Sequence, residues 1–110
     1  MSEEWIAVSK GAGGIVVTPD GDIDMSRSPD FRGALRQAND TKPERLVVNL
    51  EKVGYMDSSG LATLVECMRT TKQASTEMIL CGMNERVRAI FDIARLDQFF
   101  TIVGSLDDVG

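Results

Sequence analysis

Val53-Gly54-Tyr55-Met56-Asp57-Ser58-Ser59-Gly60-Leu61 decides how this chain is read. Just before it, Leu46-Val47-Val48-Asn49-Leu50 is nearly continuous in apolar, partly β-branched residues, the pattern of a strand covered on both faces. After it, from about Ser59 to Lys72 or Gln73, Leu61, Leu64, Val65 and Met68 recur at helical spacing, with Thr63, Glu66 and Arg69 expected to turn away. One carboxylate and two hydroxyls therefore stand where a buried strand hands over to a helix N-terminus. The unpaired N–H groups at that end favour negative charge. A phosphate or an acidic partner group suits the spot, and so does a plain helix cap by Asp57 or Ser58.

Toward the N-terminus, Ser28-Pro29-Asp30 reads as a helix start, with Ser28 as N-cap, Pro29 at the first position and Asp30 complementing the helix dipole. Phe31, Ala34, Leu35 and Ala38 form its inner face, and Asn39 to Pro43 end it. Before it, Pro19-Asp20-Gly21-Asp22-Ile23-Asp24 is a turn rich in carboxylates. It lacks the calcium-loop pattern, which leaves a solvated loop or a loop that meets a partner. Trp5 to Ser9 and Ile15 to Thr18 read as strands joined by the glycine-rich Lys10–Gly14. That link is too short for a crossover helix, so the two strands form an antiparallel hairpin. Its glycines are not a dinucleotide loop, because Val16 stands where the last glycine belongs and no helix follows.

Toward the C-terminus, Glu77 to Cys81 is a buried strand broken by Gly82. Asn84 is placed to cap a helix whose inner face is Val87, Ile90, Phe91 and Ala94. Leu96 to Ile102 supplies a turn and a short last strand, and the polar tail from Gly104 reads as frayed or a single helical turn. The order β-β-α-β-α-β-α-β predicts an α/β fold: a mostly parallel five-stranded sheet with an antiparallel edge strand, right-handed crossovers and covering helices. It forms one domain over 1–110, with an ordered core at about 5–102.

A chain of 110 residues buries one core. Its net charge of −5 is interspersed rather than clustered, which argues against a nucleic-acid partner. The start, Met1-Ser2-Glu3-Glu4-Trp5, lacks the regions of a signal peptide, and no apolar run approaches the ~20 residues of a membrane span. A cytoplasmic location without direct membrane contact is expected. Cys67 and Cys81 are the only cysteines and histidine is absent, so buried reduced thiols are expected and no metal or cofactor site.

Ser58 and Ser59 lack the partners of a catalytic serine: no histidine, no nucleophile-elbow glycines, and no lysine three residues on. The chain is therefore not expected to be an enzyme. A serine at a helix start can still accept a phosphate from another protein, leaving the fold standing while changing the surface a partner meets.

Asn49-Leu50-Glu51, followed by Met56-Asp57-Ser58-Ser59-Gly60-Leu61 running into a helix, resembles the signature of STAS domains, specifically bacterial anti-anti-sigma factors. Gly21-Asp22-Ile23-Asp24 resembles the family's turn after the second strand, and Arg86-Val87-Arg88-Ala89-Ile90-Phe91 with Leu96 extends the match. The resemblance covers roughly Trp5 to Ile102, and the Asp-Ser-Ser-Gly-Leu core is its specific part. It implies a four-helix-type α/β domain that binds an anti-sigma factor with serine kinase activity. Ser58 is then the phosphoacceptor, in a setting of Asp57, Ser59 and Gly60. The unphosphorylated form holds the anti-sigma factor and frees sigma; the phosphorylated form does not bind, and a phosphoserine phosphatase restores it. ATP belongs to the kinase. The implied contact surface comprises Gly21, Asp22, Asp24, Ser58, Ser59 and Leu61. Two departures stand out. The family's last helix is nearly absent after Ser105, and Met25-Ser26-Arg27-Ser28-Pro29 is more charged than the family pattern, which bears on the partner's identity. The rival readings are an accessory STAS subunit of a transporter or sensor assembly, docked without a switch, and a small α/β enzyme.

Overall fold

The protein is described by a computed structural model covering residues 4–110. Its sheet begins with a hairpin of β1 (Ile6–Gly11) and β2 (Gly14–Pro19), paired antiparallel. Ala12 and Gly13 make the two-residue turn with φ of 52° and 84°, the left-handed pair that matches the twist of the flanking strands. Then follow α1 (Ser28–Asp40), β3 (Arg45–Asn49), α2 (Ser58–Gln73), β4 (Glu77–Cys81), α3 (Glu85–Ile93), β5 (Thr101–Val103) and a 3-10 turn at Leu106–Asp108. The sheet order is β1-β2-β3-β4-β5, and every pair after the hairpin is parallel. The five-stranded mixed sheet with an antiparallel edge is as the alternation of elements predicts.

Register puts Val17, Val48 and Leu80 in one row across the sheet. With Phe31, Leu35, Leu64, Val87 and Phe91 from the three helices, they form the main core. Phe91 meets Phe100 edge-on, centroids 5.4 Å apart. On the opposite face Val16, Val47, Ile79 and Cys81 form a second cluster that includes no helical residue. It is covered instead by Ala12, Val103 and Val109, with Arg45 Nη1 donating to the carbonyls of Ala12 at 3.0 Å and Gly110 at 2.7 Å. The central strands are thus buried on both faces, by helices on one side and by a turn and the C-terminal segment on the other.

Several local expectations shift. The first strand runs from Ile6, not Trp5; Trp5 lies in the preceding turn with its ring 6.5 Å from that of Phe31. Ser28 is not the cap of α1 but its first residue, and Arg27 precedes it without a side-chain cap. The cap is made a turn earlier by Asp24, whose backbone carbonyl takes the N–H groups of Arg27 and Ser28. On α2 the buried stripe is Gly60, Thr63, Leu64, Cys67 and Thr71, rotated from the expected face. Thr63 is buried because its hydroxyl donates to the Ser59 carbonyl at 2.9 Å, which removes the penalty of burying it. Leu61, Val65 and Met68 flank the stripe, half-buried. Ala94 ends α3 on the surface rather than facing the core. In place of a fourth helix stands the single 3-10 turn, closed by a capping box between Ser105 and Asp108.

Candidate functional site

Ile23 and Met56, both fully buried, form an isolated parallel bridge. Ile23 N–H donates to the Tyr55 carbonyl at 3.0 Å, Asp57 N–H to the Ile23 carbonyl at 3.1 Å, and Gly21 N–H to the Lys52 carbonyl at 2.9 Å. The acidic turn and the strand-to-helix stretch are therefore zipped together, although some thirty residues separate them in sequence. Gly21 makes this possible: its φ is +119°, and a Cβ there would fall 2.5 Å from Arg27 Nη1. That guanidinium lies over the Trp5 ring, 4.9 Å from its centroid, and donates to the Asp22 carbonyl at 3.3 Å.

The two paired turns are built alike. Asp24 Oδ1 accepts from Ser26 N–H at 3.0 Å, Ser26 Oγ at 2.7 Å and Arg27 N–H at 3.1 Å. Asp57 Oδ1 accepts from Ser59 N–H at 2.9 Å, Ser59 Oγ at 2.5 Å and Gly60 N–H at 3.3 Å. Each carboxylate thus takes a hydroxyl two residues on and two backbone N–H groups. Both are held below the usual carboxylate range, Asp24 chiefly by the Ser26 hydroxyl and Asp57 chiefly by that of Ser59. Asp24 and Asp57 are close enough for the charge of Asp24 to oppose this slightly at Asp57. Both are ionised at neutral pH.

The turns meet again one turn later. Ser28 Oγ lies 2.7 Å from Ser59 Oγ and 2.8 Å from the Asp24 carbonyl. Ser59 also faces the Asp57 carboxylate and Ser28 the Asp24 carbonyl, so either hydroxyl can donate to the other. Gly60 seats the first turn of α2 on the bridge: a Cβ there would stand 2.6 Å from Met56 Cγ and 2.9 Å from Ile23 Cγ2.

Ser58 differs from its neighbour in every respect that matters to chemistry. It is the exposed first residue of α2, and neither its hydroxyl nor its N–H has a partner among the described residues. Ser59 is half-buried with its hydroxyl engaged on both sides. Asp57 is the cap, so the carboxylate and the free hydroxyl share one turn without competing.

Residues 6–109 match the STAS domain. The chain belongs to the STAS domain family. Over 82 residues it is 30% identical to an anti-sigma-B factor antagonist of Staphylococcus aureus, a match spanning 74% of this chain and 76% of that protein. The solved structure of an anti-sigma factor antagonist from Mycobacterium paratuberculosis superposes with a TM-score of 0.87 at 25% identity, covering 94% of this chain and 88% of that one. The Bacillus cell fate determinant SpoIIAA in its phosphorylated form shares the fold, with a TM-score of 0.69 at 19% identity over 89% of this chain and 90% of that one.

In this STAS domain Gly21 is half-buried, while Asp22 and Asp24 are exposed at the same edge as Ser58. Leu61, half-buried, lines a shallow groove with Ser58, Ala62, Val65 and Leu96. Asn49 carries a supporting role: its Oδ1 accepts the Glu51 N–H at 3.2 Å and its Nδ2 donates to Glu51 at 3.0 Å, shaping the chain just before Val53. Asn84 braces the same segment, its Nδ2 donating to the carbonyls of Val53 and Gly54, both at 3.2 Å, while its Oδ1 caps α3 through Val87 N–H. Arg86 lies over the Tyr55 ring at 5.7 Å. Cys67 and Cys81 are free and buried, and burial pushes the Cys67 thiol up to about 12. Among the described residues no helix is long and apolar enough to cross a membrane, and no group of three or more acidic, cysteine or histidine side chains is placed to hold a metal ion.

Sequence reasoning singled out Asp24 and Asp57 separately, gave Ser28 only a capping role, and did not foresee the Ile23–Met56 bridge or the hydrogen bonds of Ser26 and Ser28. The signal was present in the repeated pattern Asp24-x-Ser26 and Asp57-x-Ser59, which writes the same turn twice.

Proposed function

We propose that this STAS domain is an anti-sigma factor antagonist switched by phosphorylation of Ser58. One observation carries the reading: of two adjacent serines at a helix start, Ser58 alone presents an unengaged, exposed hydroxyl. The names of its relatives, including an anti-sigma-B factor antagonist, supply the circuit in which such a switch operates.

The unphosphorylated domain offers its Asp22–Asp24 turn, Ser58 and the start of α2 to an anti-sigma factor with serine kinase activity, in the cytoplasm. The partner brings ATP. Ser58 Oγ attacks the γ-phosphorus, the bond to ADP breaks, and the hydroxyl proton passes to a base of the kinase. Asp57 is a poor base for that proton in this reading, since the Ser59 hydroxyl chiefly holds its carboxyl below the usual range. The product adds a charge of roughly −1.5 to −2 beside ionised Asp57 and Asp24. The unpartnered Ser58 N–H and the helix N-terminus offset part of that charge, so the fold persists. The apposed partner surface instead meets a bulky dianion, and binding is lost. A phosphatase returns the hydroxyl by hydrolysis. The domain itself acts as a regulator, not a catalyst.

The test is incubation with the cognate anti-sigma kinase and ATP, followed by mapping of the phosphorylated residue. Label is expected on Ser58 and absent in Ser58→Ala, which still binds the kinase, whereas Ser58→Asp binds more weakly. Label that persists in Ser58→Ala, or equal affinities of the two variants, overturns the reading.

A further inference from the structure

We propose that Met25 is an apolar anchor of the partner interface and helps set which anti-sigma kinase can dock at Ser58. The inference rests on the reading of Ser58 given above and adds a residue to it. A single exposed apolar side chain is ordinary on a protein surface, but the position of Met25 is not.

Met25 follows Asp24 as Ser58 follows Asp57, in two turns with the same three hydrogen bonds to the carboxylate. Both are the exposed second residue of their turn, and Met25 is 76% exposed. The pairing of the turns is fixed on either side of them, by the Ile23–Met56 bridge before and the Ser28–Ser59 contact after. Paired backbones run about 5 Å apart at such a bridge. A kinase that brings its nucleotide to Ser58 Oγ therefore covers Met25 in the same footprint. Buried there, a methionine contributes through area and shape, and its flexible thioether adapts to the pocket it meets. The side chain makes no demand on its own fold, being turned to solvent.

The surroundings specify the partner's chemistry. Asp20, Asp22 and Asp24 are exposed around this edge, while Arg27 is half-buried and turned onto Trp5. An apolar pocket rimmed by Lys or Arg, adjoining the nucleotide cleft, is the complementary surface.

The experiment uses the full chain and the cognate anti-sigma kinase, with affinity measured by calorimetry for wild type, Met25→Leu, Met25→Ala and Met25→Glu. Met25→Leu is expected to bind within about twofold of wild type, Met25→Ala about tenfold more weakly, and Met25→Glu more weakly still. Thermal melts of the variants are expected to coincide with wild type; a variant whose melt falls is set aside in favour of the others. Wild-type binding and Ser58 labelling with unchanged affinity in both Met25→Ala and Met25→Glu overturns the Met25 inference alone. Wild-type protein that neither binds nor is labelled overturns the Ser58 reading and the inference with it.

Discussion

Ser28 Oγ and Ser59 Oγ lie 2.7 Å apart, and this contact joins the starts of α1 and α2 into one hydrogen-bonded unit that ends on the Asp57 carboxylate. The unit links two helices whose only other polar tie among the described residues is the partly exposed cluster of Arg32 and Arg36 on Glu66, at 2.9 Å and 2.7 Å. Exposed ion pairs of that kind contribute little. Ser28, by contrast, is 4% exposed, so the hydroxyl pair is partly screened from water.

Removing either hydroxyl breaks this contact and leaves the other with one partner, the Asp24 carbonyl for Ser28 or the Asp57 carboxylate for Ser59. Ser28→Ala and Ser59→Ala are each expected to destabilise the fold by about 1 kcal/mol. The double variant is expected to fall short of the sum by about 0.5–1 kcal/mol, because both changes break one contact. Urea titrations of the four proteins check this, and strictly additive effects would count against the coupling.

Asp57→Ala removes the cap of α2 and is expected to lower stability by about 1 kcal/mol at neutral pH. The pH dependence has a definite sign. The native Asp57 carboxyl is held below its unfolded value, chiefly by the Ser59 hydroxyl, so the unfolded chain binds the proton more readily. Its contribution is fully present above the unfolded pKa of about 4 and is lost as pH falls through the lower folded value. Asp57→Asn keeps a capping oxygen and cannot titrate there. The urea midpoint of wild type should therefore drop below about pH 4 more steeply than that of Asp57→Asn. Asp24 and Glu66, lowered by the Ser26 hydroxyl and by Arg36, leave a residual slope in the variant.

Gly60→Ala tests the seating of α2. In an open helix this change is stabilising by up to about 1 kcal/mol. Here the new methyl group meets Met56 Cγ at 2.6 Å and Ile23 Cγ2 at 2.9 Å, both on buried residues. Overpacking of this kind costs about 1–3 kcal/mol, so a net loss of stability is expected. A higher melting temperature for Gly60→Ala would contradict the packing.

Cys67 is expected to resist thiol reagents in the native state and to react only on unfolding. Burial raises its thiol from 9.0 to about 12, so the unfolded chain releases that proton first as pH rises. The contribution is complete below about pH 9 and is lost between there and about 12. Cys67→Ala should therefore lose less stability than wild type over that alkaline range, with Cys81, also raised by burial, accounting for part of what remains. Rapid labelling of Cys67 in native protein would contradict its burial.

Periodicity was enough to place the strands and helices, because each depends on neighbours within one or two turns of chain. The errors arose where a residue's label and its local bonding disagreed. Thr63 is polar by type yet buried, since the Ser59 carbonyl takes its hydroxyl. Ser28 follows the pattern of a cap yet lies inside α1, because Asp24 performs that task one turn earlier.

By itself the sequence determined the α/β order, the antiparallel hairpin, the STAS signature and the candidacy of the Asp57-Ser58-Ser59 turn. To local physics, though, its two serines were alike. The family resemblance picked out Ser58, and the tertiary structure supplied the physical difference, by bringing Ser28 from 31 positions away to engage Ser59 and leaving Ser58 free. It also laid the Asp24 turn beside the Asp57 turn. The physical reason is common to both: each relationship depends on the Ile23–Met56 bridge, a pairing between distant segments that leaves no mark on the periodicity of either.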